Sequence, residues 1–105
     1  MWSVEYLPIA AEERARLPAD MRARLARMTD VIAEHGVGNL PRDWAKSLGD
    51  KLWELRITGR DGIARAVYVT AEGRRVVIVL VFVKKTQKTP RHELELARQR
   101  AKEVR

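Results

Sequence analysis

The chain has 105 residues, with 21 Lys and Arg against 14 Asp and Glu, and a formal net charge of +7. This length predicts a single domain over residues 1–105, and 46% hydrophobic with 33% charged residues excludes a disordered chain. The absence of cysteine excludes disulfides, thiolate metal sites and a cysteine nucleophile. His35 and His92 are far apart and lack ligand-spaced partners, so we expect no metal and no cofactor.

The positive charge lies in the second half of the chain. Residues 1–50 carry seven basic and eight acidic side chains, a net charge of −1, whereas residues 51–105 carry fourteen and six, a net charge of +8. Such an excess favours a polyanionic partner, because each Lys or Arg that neutralises a phosphate releases a counterion. The alternative is a solvated basic face that serves solubility.

Neither a secretion signal nor a membrane span is indicated by the apolar pattern. Residues 1–6 lack the basic and then apolar order of a signal peptide. The longest apolar run, residues 76–83, is less than half of what a membrane-spanning helix needs. We therefore expect a soluble, cytoplasmic protein with no membrane partner.

The first half predicts one strand and a helical hairpin. Residues 1–7 are predicted as a strand that Pro8 ends, because apolar and polar side chains alternate over residues 2–6. Residues 10–27 are rich in Ala, Arg and Glu, which favours helix, and Pro18 divides this stretch because proline costs about 3 kcal/mol inside a helix. The second helix carries an apolar stripe, which predicts core packing. Residues 37–51 have the Gly, Pro, Asn and Asp content of a loop.

The second half predicts a three-stranded meander and a last helix. Residues 52–57, 63–70 and 75–83 are the strands, and the third is β-branched and apolar throughout, as in a strand covered on both faces. Thr89 and Pro90 resemble an N-cap followed by the first helical residue. The order is β-α-α-β-β-β-α, an α+β fold with an antiparallel sheet, an N-terminal helical hairpin and a C-terminal helix.

Two arginines in the meander form the first candidate site. Alternation in residues 52–57 places Glu54 and Arg56 on the face opposite the large apolar side chains. Because a short turn joins this strand to the next, Arg56 and Arg65 are expected to lie within reach of one ligand. Two guanidinium groups suit a phosphate, to which each can donate two parallel hydrogen bonds. The alternative is that Arg65 pairs with Glu54 across the strands.

A cationic segment between the last strand and the last helix forms the second candidate site. It contains Lys84, Lys85, Lys88 and Arg91. The N-terminus of the helix that follows also favours anions. The alternative is that this run of charged residues is only a solvated loop. Three nearby side chains have two interpretations each. Phe82 either stacks on a base or packs in the core, Tyr68 either contacts RNA or packs, and His92 is either a proton donor or an ordinary surface residue.

Three segments, residues 52–57, 61–68 and 82–90, resemble the signature of the RelE/ParE superfamily, most closely its HigB-like branch of phage-derived toxins. The resemblance covers almost the full chain and implies a RelE-like fold and the toxin of a type II toxin–antitoxin pair. Most members cut mRNA in the ribosomal A site, and the ParE branch inhibits DNA gyrase. The implied partners are mRNA, the ribosome and a cognate antitoxin, usually a helix-turn-helix protein of the HigA type.

The resemblance also implies a mechanism in which the RNA 2′-OH attacks the adjacent phosphate without a metal. Its catalytic cations correspond to Arg65, Arg56, Lys84 and Lys85. Lys88 and Arg91 are implied to hold the RNA, and the remaining candidate RNA contacts are Phe82, Tyr68 and His92. Two other functions stay open, a gyrase inhibitor that does not cut RNA and a prophage-derived protein that only binds nucleic acid.

Overall fold

The structure is a computed structural model that describes residues 1–84 and 89–104. Its helices and strands are β1 (Ser3–Tyr6), α1 (Pro8–Ala15), α2 (Ala19–His35), a short 3-10 helix (Val37–Asn39), β2 (Ala45–Gly49), β3 (Leu52–Gly59), β4 (Gly62–Ala71), β5 (Arg75–Lys84) and α3 (Arg91–Ala101). The α+β class, the break between the two helices at Pro18 and the meander of three long strands are confirmed.

The described residues form a sheet of five strands in the order β1-β5-β4-β3-β2. Strands β2 to β5 are antiparallel neighbours, and β1 adds a parallel edge along β5. The prediction of a loop over residues 37–51 was wrong at β2. This edge strand is short and mostly exposed, so it has no apolar alternation, and its pairing with β3 defines it.

Helices cover both faces of the sheet. One face packs against α1 and α2, where the predicted stripe of α2 is buried, namely Met21, Leu25, Met28 and Ile32. The other face packs against α3 through Ala97. Strand β5 is buried without interruption from Val76 to Val81, as predicted for a strand covered on both faces. Within the described residues, no helix is long and apolar enough to cross a membrane.

Gly36, which ends α2, is held in a conformation that only glycine adopts readily. Its φ is 79° and its ψ is 177°, and an added Cβ would lie 2.7 Å from Nε1 of Trp2. We therefore expect Gly36→Ala to lower the free energy of unfolding by about 1–3 kcal/mol, measured by urea denaturation. Gly38→Ala is the control, because its Cβ would meet no described atom within 4 Å. Equal effects of the two substitutions would contradict this account.

Candidate phosphate-binding site

Strand pairing brings the charged residues of the meander onto one face of the sheet. Arg56 of β3 lies directly opposite Arg65 of β4, and Arg65 lies opposite Phe82 of β5. Lys46 of β2 lies opposite Glu54 of β3 on the same face. The predicted proximity of Arg56 and Arg65 is thus present, and the edge strand contributes another cation.

Arg65 and Glu54 form a buried ion pair at the centre of this face. Their side chains are 3% and 1% exposed, and Nη1 of Arg65 lies 3.4 Å from Oε1 of Glu54. Arg65 therefore lies beside Arg56, as predicted, and also forms the pair with Glu54 that was the alternative. The carboxylate is a central part of the site, although the sequence offered it only as a competing partner for Arg65.

The second oxygen of Glu54 accepts a hydrogen bond from the hydroxyl of Thr89, at 2.6 Å. The expected capping role of Thr89 is therefore wrong. Pro90 occupies the N-cap position of α3, which has no side-chain cap, and the first helical residue is Arg91. Thr89 thus lies one residue before the N-cap position, and its hydroxyl donates a charge-assisted hydrogen bond to the buried carboxylate.

Arg65 keeps unused hydrogen-bonding capacity. Among residues 1–84 and 89–104, its buried Nε and Nη1 have no hydrogen-bond partner. A buried donor without a partner costs about 1–3 kcal/mol. An anion that reaches the guanidinium group would satisfy these donors and recover that free energy.

A pocket of about 270 Å³ opens beside Arg65. Its walls are formed by Arg42, Asp43, Ala45, Lys46, Arg56 and Arg65. Four of these six residues are cations, which suits an anionic ligand. Sequence analysis missed Arg42 and Lys46 because they lie in the stretch predicted as a loop. The sequence around them has no apolar alternation that would indicate a strand, and Lys46 is brought to the pocket by the pairing of β2 with β3.

Burial and neighbouring charges suit the two buried cations, Arg65 and Lys84, to different roles. Burial lowers the pKa of Arg65, while the Glu54 carboxylate opposes this shift. An arginine nevertheless stays protonated in proteins, so Arg65 is suited to holding negative charge. Burial, followed by the positive charge of Arg65, lowers the pKa of Lys84 from its ordinary 10.5. Lys84 is therefore the better candidate for proton exchange.

The structure places the other predicted residues at varying distances from the pocket. Phe82 is half-buried on the same face and packs against the α3-side core. Arg91 is exposed in the first turn of α3, and Nε2 of the exposed His92 lies 3.0 Å from Oε1 of Glu93. Lys85 and Lys88 lie outside the described residues.

Tyr68 does not reach the site. It is 2% exposed and packs in the core between the sheet and the α1–α2 layer, on the face opposite Arg65. Burial raises the pKa of Tyr68 to about 12, which makes the hydroxyl a poor proton shuttle. The packing interpretation of this tyrosine is the one the structure supports.

No metal site is built from the described residues, where no three His, Asp or Glu side chains are grouped to hold an ion. The charged residues of the pocket are mainly Arg and Lys. These are donors for an anion and not metal ligands in their protonated forms. The site thus fits a phosphate group.

The lowered pKa of Lys84 predicts a specific dependence of stability on pH. A lysine with a lower pKa in the folded state binds fewer protons there than in the unfolded chain, so the free energy of unfolding increases with pH up to about 10.5. We expect the wild type to gain stability relative to Lys84→Met as the pH rises from neutral toward that value. Urea denaturation across this range measures the difference, and parallel curves for the two proteins would contradict the lowered pKa.

Comparison with known proteins identifies the family. Residues 12–102 match the family model described as Phage derived protein Gp49-like (DUF891). The chain belongs to this Gp49-like family. A search among curated proteins finds no match.

Solved structures of RelE toxins share the fold of this Gp49-like chain. An E. coli RelE mutant in the free state has a TM-score of 0.68 and 16% identity, over 94% of this chain and 96% of that one. RelE of the intact E. coli RelBE toxin–antitoxin complex has a TM-score of 0.60 and 17% identity, over 82% and 100%. The archaeal RelE–RelB complex from Pyrococcus horikoshii gives 0.55 and 17%, over 78% and 93%. The resemblance to the RelE superfamily and its phage-derived branch is confirmed.

Proposed function

We propose that this Gp49-like protein is the toxin of a type II toxin–antitoxin pair and cleaves mRNA on the ribosome. The observation that carries the proposal is the buried guanidinium of Arg65, which has unsatisfied donors beside a pocket lined by cations. The RelE-like fold supports the same class of function, since the similar structures are toxins.

The proposed reaction is an attack within the RNA chain. The 2′-OH loses its proton, its oxygen bonds to the adjacent phosphorus, and the bond from phosphorus to the 5′-oxygen breaks. That oxygen takes up a proton, which leaves a 2′,3′-cyclic phosphate and a 5′-OH. Arg65 and Arg56 stabilise the negative charge that develops on the phosphate oxygens. Lys84, whose pKa is lowered, takes part in proton transfer, and Lys85 is the second candidate for that role.

Other residues are proposed to hold the RNA beyond the reacting phosphate. Lys88 and Arg91 contact the backbone, and Phe82 offers a ring against which a base can stack. His92, exposed in the first turn of α3, is the remaining candidate contact. These interactions are sequence-independent, so the ribosome supplies the position of the cut.

An antitoxin partner follows from the same proposal. The similar RelE structures include complexes with RelB. For this chain we propose a helix-turn-helix antitoxin of the HigA type, whose acidic segment covers the basic pocket in the cytoplasm. Opposite charges on the two surfaces would accelerate their association.

Induced expression in a bacterial host tests the function. We expect growth arrest and polysomal mRNA cut within codons, with both effects weakened by Arg56→Gln. Arg24→Gln on the exposed face of α2 removes the same charge away from the pocket and is expected to act as wild type. DNA-damage signalling with intact mRNA would instead support a gyrase inhibitor. Unaffected growth would support a protein that only binds nucleic acid.

A further inference from the structure

One buried carboxylate contacts two separate parts of the site. Oε1 of Glu54 lies 3.4 Å from Arg65 on β4, and Oε2 accepts the Thr89 hydroxyl hydrogen bond just before α3. Resting on the function proposed above, we propose that Glu54 is a positioning residue, which aims the Arg65 guanidinium at the scissile phosphate and fixes the segment leading into α3 beside it.

The geometry of the Arg65–Glu54 pair argues against a purely stabilising role. Strong charge-assisted hydrogen bonds span about 2.7–2.9 Å, whereas this pair is separated by 3.4 Å and leaves donors of Arg65 unmatched among the described residues. A buried ion pair is also weak evidence for stability, because apolar residues of similar volume often replace it without loss. The carboxylate therefore orients the guanidinium while leaving its donors available to a ligand.

The bond to Thr89 extends this control to the start of the last helix. Thr89 is half-buried and directly precedes Pro90, whose carbonyl accepts the first backbone bonds of α3. A hydroxyl held at 2.6 Å fixes where the helix begins relative to β3. Arg91, the first residue of α3, lies two residues after Thr89. The position of its backbone therefore depends on the same carboxylate.

The charge of Glu54 also acts on Lys84. Among residues 1–84 and 89–104, the charged groups that act on Lys84 include Arg65 on β4, Arg56 and Glu54 on β3, and Lys46 on β2. The three cations lower the pKa of Lys84, and Glu54 raises it. Removing the carboxylate charge should therefore lower this pKa further.

Glu54→Gln tests the positioning role, because glutamine keeps the size and a hydrogen-bond acceptor but loses the charge. We expect kcat for cleavage of ribosome-bound mRNA to fall about 10²-fold with KM unchanged, and the pH profile of kcat to shift to lower pH. The matched control is Glu5→Gln, which removes a strand carboxylate paired with Arg75 at 2.8 Å. That pair lies at the other end of β5, and the control is expected to match the wild type.

Thr89 variants test the second contact independently. Thr89→Ser keeps the hydroxyl and should retain cleavage, whereas Thr89→Val has the same shape without it and should lose part of kcat. Circular dichroism checks that each variant folds. If Glu54→Gln does not fold, the comparison of Thr89→Ser with Thr89→Val tests the positioning role. Wild-type kcat in both Glu54→Gln and Thr89→Val would overturn the proposal.

Titration with inorganic phosphate separates this inference from the proposed function. The probe is the NMR resonance of the Arg65 Nε–H group. We expect phosphate to shift it in the wild type and to shift it much less in Glu54→Gln, although that variant has more positive charge and electrostatics alone would strengthen binding. Equal or larger shifts in the variant would overturn the positioning role. The wild type could show the expected phosphate shifts and yet fail to cleave mRNA. That outcome would reject the proposed function while supporting the positioning role.

Discussion

Replacing Arg65 by lysine is expected to slow the proposed mRNA cleavage by about 10²–10³-fold while the chain remains folded. Lysine keeps a positive charge beside the buried Glu54, so no uncompensated carboxylate is left. It lacks the planar fork that donates two parallel hydrogen bonds to a phosphate. The expected loss therefore falls on stabilisation of the developing charge.

The measurement is the cleavage rate on programmed ribosomes, accompanied by thermal unfolding. Arg56→Lys is the comparison, because Arg56 is exposed at the pocket wall, where a flexible point charge replaces a guanidinium more easily. We expect a smaller decrease for this variant. Arg65→Lys with the wild-type rate would show that the fork geometry of Arg65 is not used.

Arg65→Ala is expected to destabilise the fold by about 3–5 kcal/mol, since it leaves a buried carboxylate without its charged partner. Glu54 is 1% exposed, and the Arg65 guanidinium is the charge that compensates for its burial. The double variant Arg65→Leu with Glu54→Leu should recover most of this loss, because apolar residues of similar volume remove both charges. Urea denaturation of the single and double variants measures the coupling.

Arg75→Ala is the matched control for that experiment. It breaks an Arg–Glu pair between strands in which Arg75 and Glu5 are 34% and 47% exposed, and such pairs contribute about 0–1 kcal/mol. An equal effect of Arg65→Ala and Arg75→Ala would contradict the buried ion pair. The large effect expected for Arg65→Ala also means that loss of toxicity in this variant would not by itself identify a catalytic group.

Local alternation and a short turn were sufficient to predict the centre of the site. The period of two in residues 52–57 placed Glu54 and Arg56 on one face, and the turn to the next strand set Arg56 opposite Arg65. In an antiparallel pair one residue has both a direct and a diagonal neighbour. The two alternatives for Arg65 are therefore compatible, which the sequence pattern alone did not reveal.

Tyr68 shows a signal that was present but not used. Counting in steps of two from Arg65 places Tyr68 on the opposite face, where the structure buries it. The pattern of the strand was thus enough to separate it from the cations.

The rest of the pocket depends on contacts between distant parts of the chain. Lys46 enters the site because β2 pairs with β3, and an exposed edge strand leaves little trace in apolar periodicity. Thr89 bonds to Glu54 across 35 residues of sequence separation, and its place before a proline made local capping the simpler expectation. Tertiary contacts therefore determine the positions of both Lys46 and Thr89.

The most direct test of the account is to incubate the purified protein with programmed ribosomes and identify the ends of the cut mRNA. Attack by the RNA 2′-OH with Arg65 stabilising the phosphate predicts a 5′-OH on one fragment and a 2′,3′-cyclic phosphate or 3′-phosphate on the other, with a much lower yield for Arg65→Lys. Intact mRNA, or fragments that carry a 5′-phosphate, would contradict it.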